Sequence, residues 1–129
     1  MDDLVQWCGE QLDEDERIAR AATPGPWRVR DEGVVGDGGK HWPVAYTDSH
    51  RAREDCLHVA AHNPARVLRE IGAKRQVLAM AQARIEEATS PDFMVNGPAK
   101  VALVVMEPVL KSLASAYADR PGYREEWRL

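Results

Sequence analysis

The residue types best suited to chemistry cluster in one short segment. Asp55, His58 and His62 stand at i, i+3 and i+7, a spacing that turns all three to the same side of a helix. His58 and His62 alone are four apart, a familiar separation for two metal-bound imidazoles. Zinc is the cofactor such a set would take, with His41, Asp48 and His50 as further ligands if a neighbouring sheet lies close. Two features argue against metal. No Glu stands between the histidines as it does in the zinc-protease helix, and Cys56 faces elsewhere. His62 also suits a helix C-terminus, where the last carbonyls favour a partly protonated imidazole. The expectation is therefore no resident cofactor, with zinc at Asp55, His58 and His62 as the alternative.

A second candidate is basic. Arg66, Arg69, Lys74 and Arg75 lie partly along one ridge of the following helix and could bind phosphate, nucleic acid or an acidic protein. A DNA recognition helix would want a helix-turn-helix junction with Gly in the turn, and Asn63-Pro64 does not supply it. The 129-residue chain carries a net charge of −4, which disfavours a general nucleic-acid binder. Residues 1–22 hold seven acids and residues 50–84 hold seven bases. The plain reading is that the acidic first helix lies near the basic one.

Nucleophilic and acid–base catalysis find no complete constellation. Cys8 and Cys56 have no activating partner, since His58 is two residues from Cys56 and i, i+2 residues do not face each other on a helix. No Gly-x-Ser-x-Gly elbow occurs. Glu86-Glu87 and Glu125-Glu126 read as solvated helix faces. Gly36 to Gly39 lacks the strand-to-helix context and Lys-Ser/Thr of a phosphate-binding loop, so a hairpin turn is expected. Two cysteines cannot form a disulfide framework, and both read as buried thiols. No apolar run is read as long enough to span a membrane, and the acidic start, Met1-Asp2-Asp3, is unlike a signal peptide. A cytoplasmic protein is expected.

The elements that must position these residues form a mostly helical α+β single domain with a small antiparallel three-stranded sheet. An acidic helix over residues 1–22 carries Leu4, Cys8, Leu12, Ile18 and Ala22 as its apolar stripe, interrupted at Asp15. Pro24-Gly25-Pro26 ends it. Residues 27–46 read as three strands, Trp27 to Arg30, Val34-Val35 and Trp42 to Tyr46. Pro43 confines the last to an edge or a strand start. Trp27, Val29, Val44 and Tyr46 are expected to face the helices. Residues 49–89 hold two helices. The first carries Leu57, Ala60 and Ala61 inward, and the second is capped by Asn63 with Pro64 at its first position. Ile71, Leu78 and Ile85 recur every seven residues, interleaved with Val67, Ala81 and Ala88. That stripe predicts helix-on-helix packing, in a hairpin or a dimer. Thr89 to Pro98 reads as loop, with Phe93 and Met94 pinned to the core. Val101 to Met106 reads as part of a buried helix over 99–118, kinked or restarted at Pro108. The tail, 119–129, brings Tyr123 and Trp127 onto one face, where they should clamp it to the core.

The blocks Asp13-Glu-Asp-Glu-Arg17, Ala21-Ala-Thr-Pro-Gly-Pro-Trp27, His58 to Arg69 with Ala73-Lys-Arg75, and Tyr117-Ala-Asp-Arg-Pro-Gly-Tyr-Arg-Glu-Glu-Trp-Arg128 together resemble a family of small uncharacterised proteins of actinobacteria and their phages. Thr23-Pro-Gly-Pro-Trp27 more weakly resembles Ead-type proteins of temperate phages. The resemblance implies an accessory protein and brings no activity with it. The function expected is a non-enzymatic interaction protein, working through the long helix or a sheet edge, on another protein or on a second copy of itself. A metal or ligand site on the His-rich helix face and a nucleic-acid site on the basic face are the alternatives; no membrane is expected.

Overall fold

The computed structural model describes residues 1–31, 33–36 and 42–129, with Trp42 described in its backbone alone. The predicted Gly-rich turn across Asp37, Gly38 and Gly39, the turn position Glu32 and the candidate ligand His41 lie outside the described residues. The described residues form an α+β fold of α1 (Asp2–Ala21), β1 (Trp27–Arg30), β2 (Gly33–Gly36), β3 (Trp42–Tyr46), α2 (Ala52–Ala61), α3 (Pro64–Ala88) and α4 (Phe93–Ser115). A single 3-10 turn follows at Glu125–Trp127. Two compact units can be distinguished, Met1–Asp13 with Ala73–Leu129, and Glu14–Gly72.

In the unit of residues 14–72 the sheet is an antiparallel meander in the order β1-β2-β3, as the sequence predicts. Pro43 sits on an edge strand, where its missing N–H breaks no interior ladder. The half-buried Trp27, Val29 and Val44 pack with Val34 against Cys56, Val59 and Ala60 of α2. Tyr46 departs from the expected inward face and is 77% exposed. The cause is a bulge between Val34 and Val35: Val34 pairs with Ala45 but Val35 pairs with Pro43, so the two-residue alternation breaks at Val44. Tyr46 then lies opposite Gly33 and covers it, and a Cβ at Gly33 would meet its ring at 3.0 Å. Helix α2 is rotated from the predicted face. Ala60 is buried as expected, together with Cys56 four residues before it, whereas Leu57 is 48% exposed and Ala61 is exposed. Thr47 fastens the start of α2, donating to the Ala52 carbonyl at 3.1 Å and approaching Cys56 Sγ at 3.5 Å. Asn63 caps α3 as predicted, its Oδ1 accepting from Arg66 N at 3.2 Å with Pro64 at the first helical position. Ile18, placed on the apolar stripe of α1, is half exposed, while Ala19 beside it is buried.

In the unit of residues 1–13 and 73–129, the interior is built from Leu4, Val5, Trp7, Cys8 and Leu12 of α1, Leu78 and Ala81 of α3, and Ala99, Leu110 and Ala114 of α4. The long-helix seam is thus inside the chain. Helices α3 and α4 are joined by residues 89–92 alone, a connection short enough to make them antiparallel neighbours. The tail is clamped as predicted. Trp7, Tyr123 and Trp127 form a ring cluster with centroids 5.2–6.0 Å apart. Trp7 Nε1 donates to the Pro121 carbonyl at 3.2 Å. Arg124 meets Asp3 at 3.0 Å, and Arg120 donates to the Gln11 carbonyl while lying 4.6 Å over the Tyr117 ring. Gly122, at φ +85°, is required here both by the backbone and by the indole: an added Cβ would sit 2.8 Å from Trp7 Nε1.

Candidate interaction surface

Helix α4 differs most from the sequence reading. It begins at Phe93, six residues before the predicted start, because Asp92 caps it by accepting from Met94 N at 2.9 Å. Ser90 Oγ in turn accepts from Asp92 N. Pro98 and Pro108 both lie inside the helix instead of breaking it. Each removes one N–H, and the helix is continuous around the gap. The expected burial fails as well. Phe93 and Met94 are each 76% exposed, Val101 68%, Val104 73% and Val105 67%. A helix apolar all round reads as buried, but here only Ala99, Leu110 and Ala114 turn fully inward. Residues 93, 94, 97, 98, 101, 104, 105, 108 and 109 follow three/four spacing along the opposite side, and none is charged. This outward face runs roughly 24 Å from Phe93 to Val109 at the helical rise. By length and composition α4 is also long and apolar enough to cross a membrane, contrary to the expectation from the sequence.

A groove of about 690 Å³ runs beside this face, lined by Val77, Met80 and Ala83 of α3 and Ala102, Val105 and Val109 of α4. Arg84 is its one charged lining residue, and it is paired with Glu87 at 2.9 Å. The charged residues of α4 are set to one flank. Lys111 bridges Glu107 at 3.0 Å along the helix, and Lys100 is exposed with no carboxylate partner among the described residues. Monomeric proteins rarely leave a contiguous apolar patch beyond ~300–600 Å². At roughly 60–120 Å² of apolar surface per large side chain, the value implied by transfer energies, the α4 face with Met80 reaches that limit or passes it.

The two candidate sites read from the sequence are assembled differently. Asp55 accepts from Ser49 Oγ at 2.6 Å. His58 and His62 stack with centroids 4.3 Å apart, and His62 Nδ1 lies 2.7 Å from the His58 carbonyl. This is the helix-end role anticipated for His62. No group of three or more His, Cys, Asp or Glu able to hold a metal occurs among the described residues. His62 also borders an apolar dimple of about 190 Å³ with Asp15, Ile18, Trp27 and Val67, smaller than the ~300–1,000 Å³ of most ligand pockets. Of the basic residues in this unit, Arg66 pairs with Glu70 at 2.9 Å and donates to the Ala61 carbonyl. Arg69 is exposed without a carboxylate partner among the described residues. In the other unit Lys74 reaches the Tyr117 hydroxyl at 3.4 Å and lies 5.5 Å from its ring, and Arg75 pairs with Asp13 at 2.7 Å. The acidic helix thus engages the basic one at Arg75.

Cys8 is buried, and burial pushes its thiol up to about 11, away from reactivity at neutral pH. Trp7, the hub of the tail clamp, is missing from the expected stripe of α1. Its signal is position: it lies three residues after Leu4, on the same helix side.

No curated protein and no solved structure matches this chain. The match to a family is complete along its length, and over residues 1–129 the chain belongs to DUF6221, a family of unknown function.

Proposed function

We propose that this chain is a non-enzymatic interaction protein that docks a protein partner on the apolar face of α4 and the groove beside α3. The observation that carries this reading is the exposure of Phe93, Met94, Val101, Val104 and Val105 on one uncharged helix side. Burying that surface is favourable, because apolar area removed from water is worth about 25 cal/mol per Å². The interaction reading thus moves from the seam of the long helix, which is internal, to α4. A sheet edge has less support. The two edge strands carry Pro43 on β3 and the exposed Arg28 and Arg30 on β1, devices that discourage strand addition. The resemblance to actinobacterial and phage accessory proteins fits this role, and a cytoplasmic setting goes with it.

The test is a pair of variants, Val101→Asp and Val105→Asp, examined by circular dichroism and by retention on a hydrophobic-interaction column. Folded spectra with retention clearly reduced are expected. Loss of folding would make the face part of the core, and unchanged retention would show that it is not an exposed apolar surface; either overturns the reading.

A further inference from the structure

Resting on that reading, we infer that the occupant of the α4 face is a second copy of this chain, paired through a two-fold axis that sets α4 antiparallel to α4 and passes beside Val104. Three observations lead there.

The first is area. A standard stable interface needs roughly 800 Å² per partner. The outward side chains of α4 with Met80 provide roughly half of that, and the walls of the groove beside them add to it. Lys100 and Glu107 on the flank and Ser112 beyond Val109 supply the polar rim such interfaces carry.

The second is self-complementarity. In a two-fold contact each patch meets itself, so a patch of one charge sign would repel its copy. From Phe93 to Val109 the outward side of α4 is uncharged. It also presents a row of exposed valines, Val101, Val104 and Val105, beside the apolar groove shared with α3. Two helical hairpins joined this way make a four-helix arrangement.

The third is charge register. The charges of α4 lie on one flank, and a two-fold axis perpendicular to the antiparallel helices keeps like flanks together. With the axis between Leu103 and Val104, residue 100 of one copy stands opposite residue 107 of the other. Lys100, which has no partner in its own chain among the described residues, then meets Glu107 of the second copy, a carboxylate shared with Lys111 of that copy, twice by symmetry. Two groups in each copy oppose the pairing. Pro98 and Pro108 leave the Met94 and Val104 carbonyls without their usual helical donors, and those oxygens lose water in the contact. Four such carbonyls stand against the apolar area of two whole faces.

A lipid surface is the weaker occupant. Interfacial helices gain much of their hold from Lys and Arg meeting anionic headgroups. Here the flank alternates Lys100, Glu107 and Lys111, and the whole chain is net negative.

The experiment is sedimentation velocity on the full chain over a concentration series, with phosphatidylcholine vesicle co-sedimentation alongside. The wild type should reach twice the 14.4 kDa chain mass. Val104→Glu should fold and weaken the dimer on the order of 100-fold or more, because two carboxylates would face each other at the axis. Lys100→Glu should weaken it roughly 5- to 30-fold, and Glu107→Lys added to it should restore much of the loss. A dimer indifferent to Val104→Glu would place the contact elsewhere and overturn the inference. A dimer sensitive to Val104→Glu but not to Lys100→Glu would overturn the antiparallel register. A monomer whose vesicle binding is lost in Val104→Glu would overturn the second copy while keeping α4 as a docking face. A monomer with no vesicle binding in either form would overturn the second copy alone, leaving the docking reading to the hydrophobic-retention test.

Discussion

Replacing Gly122 with Ala tests how the tail is held. The backbone there has φ +85°, where an L side chain costs roughly 1–2 kcal/mol. The new Cβ would lie 2.8 Å from Trp7 Nε1, so the indole must move by several tenths of an ångström. Its hydrogen bond to the Pro121 carbonyl is already 3.2 Å long, and a shift of that size breaks it. Trp7 is 8% exposed, so the freed N–H has little access to water, a penalty of about 1–3 kcal/mol. The combined loss is about 2–5 kcal/mol, a fall in Tm of about 7–18 °C for a chain of this size. Urea unfolding followed by tryptophan fluorescence reads it directly. Gly122→Asn separates the two causes. Asn tolerates positive φ better but brings the same Cβ, so it should be less damaging than Ala by about 0.5–1 kcal/mol. An Ala variant within ~0.5 kcal/mol of wild type would refute the clamp. Asn no better than Ala would remove the backbone part of the argument.

Four further outcomes follow from the same geometry. Leu78→Ala should cost about 2–5 kcal/mol in urea unfolding, since the side chain is 7% exposed in the seam, and a loss under ~1 kcal/mol would deny that the seam is internal. Asn63→Ala should cost about 1 kcal/mol by removing the acceptor for Arg66 N, and a neutral result would show the cap is not used. Cys8 and Cys56 should react with a thiol reagent only on unfolding, and fast reaction of either in the native protein would contradict their burial. The raised Cys8 pKa also sets an alkaline limit. The folded state holds the thiol proton more tightly than the unfolded chain, so its contribution is full below pH 9 and is lost as pH rises toward about 11. Cys8→Ala should flatten that part of the stability profile relative to wild type, and an unchanged slope would refute the linkage.

The parts of this fold that could be read from the sequence are those decided by local chemistry. Asn63-Pro64 specifies a helix start by cap and fixed φ, and the start is where it was expected. Pro24-Gly25-Pro26 ends α1 for the same kind of reason, and the three strands follow alternation and turn residues. What could not be read depends on neighbours. Alternation carried through Val44 places Tyr46 inward, and a bulge set by pairing with β2 reverses it. Leu57 lost its place to Cys56 because the rotation of α2 is set by the sheet it lies on. The start of α4 is legible in principle: Asp92 is a good cap, but the loop reading of Thr89 to Pro98 passes over it, and Gly97 and Pro98 lie inside the helix. The outward face illustrates the limit. The apolar run Val101 to Met106 was plain, yet no periodicity distinguishes a helix apolar because it is covered by its own chain from one apolar because something else will cover it.

The most direct test of the account is carbene footprinting of the wild-type chain across a dilution series. At the lowest concentration Phe93, Met94, Val101, Val104 and Val105 should label strongly while Leu78 and Leu110 stay unlabelled. As concentration rises, labelling of the α4 face alone should fall. Protection of that face at every dilution, to the level of Leu110, would return α4 to the core. Strong labelling that never falls would leave the face exposed but deny that a second copy covers it.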